Sequence, residues 1–317
     1  MKKALFFCAC CLILACADRS AENPDNSGAI NHISLIIEDE LWNGEVGDSI
    51  RNKLASPVVG LPDEEPLFTI NQYPLRLLEG FMSDSRTVLV VKKKPGKNFK
   101  IIRNDPARRQ QVVHISGNTV AEIVRTLEQK SPSLIQLMRD AEFEEMQKRI
   151  DSERVNPAIL RNQFQIDIGM TPQYRIAYKA PNFVWFKKDI ISGNLNLLVY
   201  QIPMRNDRHG LNILKLRDSI GAAHIHGTAA DSDMVTENAF APYVSQLTIG
   251  GKKVIETRGT WELKNDFMSG PFINFAFFDT EKRRILILEG FCYAPSRQKR
   301  DLLFELETLM RSIEFTK

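Results

Sequence analysis

The chain has 317 residues, 43% hydrophobic and 26% charged. That is enough apolar material for two folded cores and an ordinary charge content for a globular protein. Its formal charge is +3, and losing Lys2 and Lys3 with a leader would leave 40 basic against 39 acidic residues, a net +1. So near-neutral a balance removes the electrostatic case for nucleic acid or an anionic membrane surface as partner.

The chain opens on MKKALFFCACCLILAC, two lysines followed by an apolar run from Ala4 to Ala15. Such a run is too short to cross a bilayer but suits the core of a signal peptide. It ends in Ile13-Leu14-Ala15-Cys16, which resembles a bacterial lipobox. The resemblance implies a signal peptide over residues 1–15, cleavage before Cys16, and acyl chains such as palmitate on Cys16; two or more chains anchor a protein stably. Ordinary secretion with cleavage near Ala15 or Ala17 is the alternative. Cys8, Cys10, Cys11 and Cys16 all fall in the leader or at its cut site, so the body keeps Cys292 alone and no intramolecular disulfide. Flanked by Phe291 and Tyr293, Cys292 reads as a buried small hydrophobe. Residues 16–30, polar and broken by Pro24 and Gly28, read as a flexible tether.

A first α+β domain is expected over residues 31–155. Ile33 to Ile37 suit a strand, and Val46, Ile50 and Leu54, spaced by four, mark one face of a helix. A strand around PLFTINQ, a short helix near LRLLEGFM, and strands at RTVLVVKKK, KNFKIIR and QQVVHIS follow, with Lys94-Pro95-Gly96-Lys97 as a turn. Val120, Ile123, Val124 and Leu127 begin a helix that closes at Lys130; Ser131-Pro132 then starts a second helix, running to about Ile150. Its charge run RDAEFEEMQKR suits a solvated face. DSERVNPAILRNQ looks like a domain boundary.

Residues 156–317 form a second α+β domain, expected to be a mostly antiparallel sheet with helices packed on it. FQIDIG, QYRIAYK, NFVWFKKD and LNLLVYQIP read as strands, and LNILKLRDSIGA as a helix. VSQLTI and KKVIETRGTWEL flank Gly250-Gly251, a tight hairpin signal. INFAFFD and RRILILEGFCY complete the sheet, whose continuous apolar runs require cover on both faces. The last helix puts Leu302, Leu303, Leu306, Leu309, Met310 and Ile313 on one stripe.

Three places could carry chemistry. His224-Ile225-His226 sets two imidazoles on one side of an extended segment near Asp231 and Asp233, a permissible metal arrangement but one without a fixed ligand spacing; a surface loop is the default reading. Ser296-Arg297-Gln298-Lys299 matches a Ser-x-x-Lys pattern whose companion motifs are absent, and Ser296 reads more simply as a helix N-cap. In RGTWELKNDFMSGPF, alternation puts Ile255, Thr257, Trp261 and Leu263 on one face of a strand and Glu256, Arg258, Thr260 and Glu262 on the other. That reads as a structural hairpin, in which Gly259, a glycine inside a strand, marks a bulge or a close backbone approach. A bulge would turn Arg258, Trp261 and Glu262 into a ligand-facing corner. No Gly-x-Ser-x-Gly, His-Glu-x-x-His, Walker or dinucleotide motif occurs, and no cofactor is implied.

The stretches ELWNGEVGDSIR, GLPDEEPLFTINQ, RDS (Arg217 to Ser219), RGTWE, FMSGPF and EGFCYAP, with Lys299-Arg300 after them, together resemble a family of Bacteroidota envelope lipoproteins described as domain of unknown function 4837. More loosely, the second half is similar to the PsbP-like α/β/α sandwich. The resemblance implies a lipid-anchored cell-envelope protein with no assigned activity, on the outer membrane facing the periplasm or the cell surface. The role expected is a non-enzymatic binding or assembly factor with an envelope protein as partner and the membrane reached through Cys16. An envelope enzyme or small-ligand-binding protein with its site near Arg258 and Glu262 is one alternative; metal binding through His224 and His226 is another.

Overall fold

The computed structural model describes residues 28–78, 85–104, 110–204 and 212–316. The expected signal peptide, Cys16, residues 17–27 of the expected tether and the end of the helix expected near LRLLEGFM lie outside the described residues.

The N-terminal domain is built on a sheet in the order β2-β1-β3-β5-β4. Its centre is β1 (His32–Ile37) and β3 (Thr87–Lys93), runs of Ile, Leu and Val buried on both faces. Strands covered on both sides suit parallel pairing, and β1 pairs parallel with both β3 and β2 (Thr69–Pro74), as β3 does with β5 (Gln110–Gly117). Only β4 (Asn98–Asn104) runs antiparallel, against β5. Helices α1 (Asp39–Trp42), α2 (Glu45–Leu54) and α3 (Val120–Ser152) supply one core with Ile33, Leu35, Leu89 and Val113. The opposite face carries a smaller cluster around Ile36, Val88 and Val90.

The two helices expected on either side of Ser131-Pro132 are one. Pro132 lies inside α3 and cannot donate to the carbonyl four residues back. The Ser131 hydroxyl donates to that carbonyl, Glu128 O, at 3.3 Å, so the helix runs on with its acceptor satisfied. The far end of α3 leaves the first domain: Ile150 is part of the second domain's core.

That second domain holds an eight-stranded sheet in the order β10-β12-β13-β14-β9-β8-β7, with β11 also paired to β12. The strands are β7 (Arg175–Ala180), β8 (Phe183–Ile190), β9 (Gly193–Pro203), β10 (Met234–Thr236), β11 (Tyr243–Ile249), β12 (Lys252–Leu263), β13 (Ser269–Asp279) and β14 (Arg284–Tyr293). Every pairing is antiparallel. Short β6 (Ile166–Asp167) and β15 (Glu314–Phe315) pair with each other. Helices α4 (Ala158–Phe164) and α6 (Arg300–Arg311) cover one face through Leu160, Phe164, Leu303, Leu306 and Met310. Helix α5 (Ile213–His224) covers the other, over Trp261, Phe272 and Ile287.

Candidate functional site

Strand β12 alternates as its sequence requires. Trp261 is buried on the α5 face, edge-on to Phe291 at 5.3 Å, with its indole N–H donating to Cys292 O at 3.3 Å. Gly270 makes that contact possible, because a Cβ there would lie 2.1 Å from Cys292 O. Arg258 is buried on the α6 face, whereas Glu262 is exposed near the strand's end, opposite Val235 and Ser269. Four residue steps along the strand set Arg258 and Glu262 about 13 Å apart. Arg258, Trp261 and Glu262 therefore point into three different environments.

Gly259 makes no bulge: the register between β12 and β13 runs unbroken from Val254↔Phe277 to Glu262↔Ser269. It marks a close approach instead. A Cβ at Gly259 would sit 3.0 Å from the Phe272 ring, and Gly60, at φ +86°, brings a loop of the first domain within van der Waals range of Arg258 and Gly259.

What surrounds Arg258 is the junction between the two domains. Its guanidinium lies 2.6 Å from Glu256 on its own strand and 2.7 Å from Glu307 on α6. Glu307 also meets Arg139 of α3 at 3.1 Å and Arg311 at 2.9 Å, so one carboxylate serves three guanidinium groups. Burial on its own would raise the Glu307 carboxyl, but Arg258, Arg139 and Arg311 outweigh it and bring the pKa down to about 2. Burial likewise disfavours the Arg258 charge, yet Glu307 and Glu256 hold its pKa above the ordinary arginine value. Phe143 of α3 stacks on Phe304 of α6 at 4.4 Å, and the Arg139 guanidinium lies 5.1 Å from the Phe143 ring centre. A cavity of about 10 Å³ remains, lined by Asn31, Arg139, Arg258, Arg300, Phe304 and Glu307; it has room for about one water.

The same junction caps α6. The N-cap is Lys299, not Ser296, and no side chain of the cap residue bonds back. Glu65 of the first domain does the work from across the interface, accepting the Lys299 N–H at 2.7 Å and the Arg300 N–H at 2.8 Å. A carboxylate at a helix N-terminus satisfies free N–H groups and meets the positive end of the helix dipole. Lys299 Nζ in turn reaches Asp63 at 2.9 Å, and the Arg300 guanidinium donates to Pro66 O at 2.9 Å and Thr69 Oγ1 at 3.0 Å. A further carboxylate, Glu142 of α3, binds Arg86 at 2.9 Å and accepts the Asn31 N–H at 2.7 Å.

A second buried charge pair lies beneath α5. Arg217 Nε is 2.9 Å from Glu289 of β14, and its guanidinium covers the Phe272 ring at 3.9 Å. Asn274 donates to Glu289 at 2.9 Å, and Asp218 accepts both the N–H and the hydroxyl of Thr236. Burial raises the Glu289 pKa despite Arg217. The pair ties α5 to the sheet, which is what the RDS stretch does in the fold.

The two histidines are not brought together as ligands. His224 ends α5 and stacks on Phe183 at 4.2 Å, whereas His226 bonds Asp233 at 2.7 Å across an isolated bridge. Among the described residues no group of three or more His, Cys, Asp or Glu side chains could hold a metal ion. Cys292 is fully buried, and burial pushes its thiol up to about 12 against the pull of Lys299.

Fold and site together define a two-domain protein with a sheet in each half and a charge-locked junction between them. The chain belongs to the family described as "Domain of unknown function (DUF4837)", whose model matches residues 153–312, half of the chain. Residues 26–151 match a second model, "Domain of unknown function (DUF8532)". No curated protein matches the chain. Among solved structures, the Saccharomyces cerevisiae Ran-binding protein Mog1p is similar over 48% of this chain and 91% of its own, at 9% identity and a TM-score of 0.33. A Bacteroides thetaiotaomicron crystal structure is similar over 48% of this chain at 10% identity and a TM-score of 0.26, and the match spans 46% of that protein.

Proposed function

We propose that this is a lipid-anchored protein of the bacterial cell envelope that binds or helps assemble another envelope component and performs no catalysis. The observation that carries the non-catalytic reading is the junction itself. Arg258 is neutralised by Glu256 and Glu307, and the space beside it holds about one water, far below the ~300 Å³ of a small-molecule site. A substrate there would have to displace a buried charge network. The anchor reading rests on the Ile13-Leu14-Ala15-Cys16 pattern, and no described helix is long and apolar enough to cross a membrane. Placement among Bacteroidota envelope lipoproteins rests on that leader together with the family motifs. Sheet cover by α5 on one face and α4 with α6 on the other supports a PsbP-like α/β/α sandwich.

Two measurements test this. Growth with a clickable palmitate analogue should label the full chain and leave Cys16→Ser unlabelled; equal labelling of both would remove the anchor. Mild crosslinking in native membranes, followed by pull-down of the lipidated chain, should recover the same envelope protein reproducibly. Recovery of nothing beyond a non-lipidated control would end the assembly reading.

A further inference from the structure

Among the described residues, the strand edges of the two sheets are guarded, with one exception. In the N-terminal sheet, edge strand β2 ends in Pro74 and edge strand β4 carries Lys100. In the C-terminal sheet, edge strand β7 carries Arg175 and Lys179 and has an irregularity between Ile176 and Tyr178. Strand β10 is only three residues long. Prolines, charges, irregularities and short length are the devices that stop an edge from pairing with another chain. Strand β11, YVSQLTI, has none of them. It is seven residues long, without a charge or a proline, and pairs only with β12 among the described residues.

The geometry of its hairpin says which groups are free. Gly250 and Gly251 both have positive φ, +55° and +75°, as a two-residue type I′ turn requires. Ile249 and Lys252 are then the first hydrogen-bonded pair, and bonding alternates along the ladder. Tyr243, Ser245, Leu247 and Ile249 bond toward β12. Val244, Gln246 and Thr248 direct their N–H and C=O groups outward, and all three side chains are exposed. Tyr243 at 49%, Val244 at 59% and Phe240 at 65% exposure add apolar surface at the start of the strand.

We propose that this edge pairs with the same edge of a second copy of the chain, joining two C-terminal sheets into one. The strand is complementary to itself. Laid antiparallel over its full length, it puts Gln246 opposite Gln246 of the second copy and Val244 opposite Thr248, so all three outward residues find hydrogen-bonding partners. No charge meets a like charge, which is the usual obstacle to an edge meeting its own image. The contact is isologous and closes as a two-fold dimer, leaving no free β11 edge for further growth. A seven-residue ladder alone is smaller than a standard stable interface, so association is expected to be weak in dilute solution and stronger where chains are concentrated.

The test uses the full chain in the membranes of cells that express it, under mild oxidation, with the wild-type chain as background for Cys16 and Cys292. Opposed residues of a hydrogen-bonded antiparallel pair have Cα atoms about 5.5 Å apart, within disulfide reach. Gln246→Cys should therefore give a covalent dimer of twice the chain mass. Ala177→Cys, exposed on guarded β7, should not. The double variant Val244→Cys/Thr248→Cys should crosslink as well, and adding Gln246→Lys to it should abolish the dimer while leaving the circular dichroism spectrum and melting unchanged. No dimer from Gln246→Cys, equal yields from Ala177→Cys, or an adduct whose mass shows a different protein would each overturn self-pairing.

Discussion

Glu307 concentrates the energetics of the junction in one side chain. Burying an ion costs several kcal/mol, which is recovered only when partners are close and hydrogen-bonded; Glu307 meets Arg139, Arg258 and Arg311 within 3.1 Å. Replacing it with alanine leaves Arg258 with Glu256 alone and Arg139 without its carboxylate, and should cost about 3–5 kcal/mol in urea unfolding. The pH dependence has a definite sign. A carboxyl whose folded pKa is about 2, against an ordinary value near 4.5, contributes stability that is present above about pH 4.5 and lost as pH falls toward 2. The acid limb of stability against pH should thus be steeper in the wild type than in Glu307→Gln, and equal slopes would show that Glu307 does not carry it. Cys292 offers a simpler check: with its thiol buried and pushed up to about 12, a maleimide should label it only after unfolding. The sequence held a signal for these buried carboxylates that its charge pattern obscured. Glu142 falls in the i,i+4 row Leu134, Met138, Met146, Ile150, and Glu307 lies four residues after Leu303 on the apolar face of α6. A lone acid inside an apolar row is more than a solvated charge; finding its arginine partners needs the tertiary fold.

At the scale of elements, α6 shows why local sequence misassigns a cap. Ser296 has the right chemistry and sits just ahead of the helix, but the helix begins at Arg300 and takes its cap from Glu65, 234 residues away from Lys299. Nothing near residue 299 encodes that carboxylate. Glu65→Ala should destabilise the full chain by about 1–2 kcal/mol, the range of a lost N-cap, and Glu65→Gln by less because the amide oxygen still accepts. The readout is the urea midpoint at constant m-value. Elements governed by local rules were legible: the apolar runs of β1, β3 and β14, the Gly250-Gly251 hairpin and the amphipathic stripe of α6. Those governed by distant or compensating contacts were not. Ser131-Pro132 has the residues of a helix start, but Ser131 repairs the bond that Pro132 breaks and α3 continues. Gly259 signalled either a bulge or a close approach, and only the unbroken register with β13 and the Phe272 ring packed against it decide between them.

At the scale of the molecule, the two domains are held as one cooperative unit by groups that are satisfied only when docked. Helix α3 contributes Leu134 and Met138 to the first core and Ile150 to the second. Between them, on the same helix, Arg139 pairs with Glu307 and Phe143 stacks on Phe304. Pulling the domains apart would leave Glu307 without one of its three arginines, uncap α6 at Glu65 and expose the Phe143–Phe304 stack. These losses fall on both domains at once, so neither is expected to unfold first. Calorimetry of the chain should show one transition with equal calorimetric and van't Hoff enthalpies. Arg139→Ala/Phe143→Ala removes the ion pair and the stack while sparing Ile150 and the Glu65 cap; its transition should broaden or split as the first domain loses its hold on the second. Two resolved transitions already in the wild type would mean that the junction orients the domains without coupling their stability.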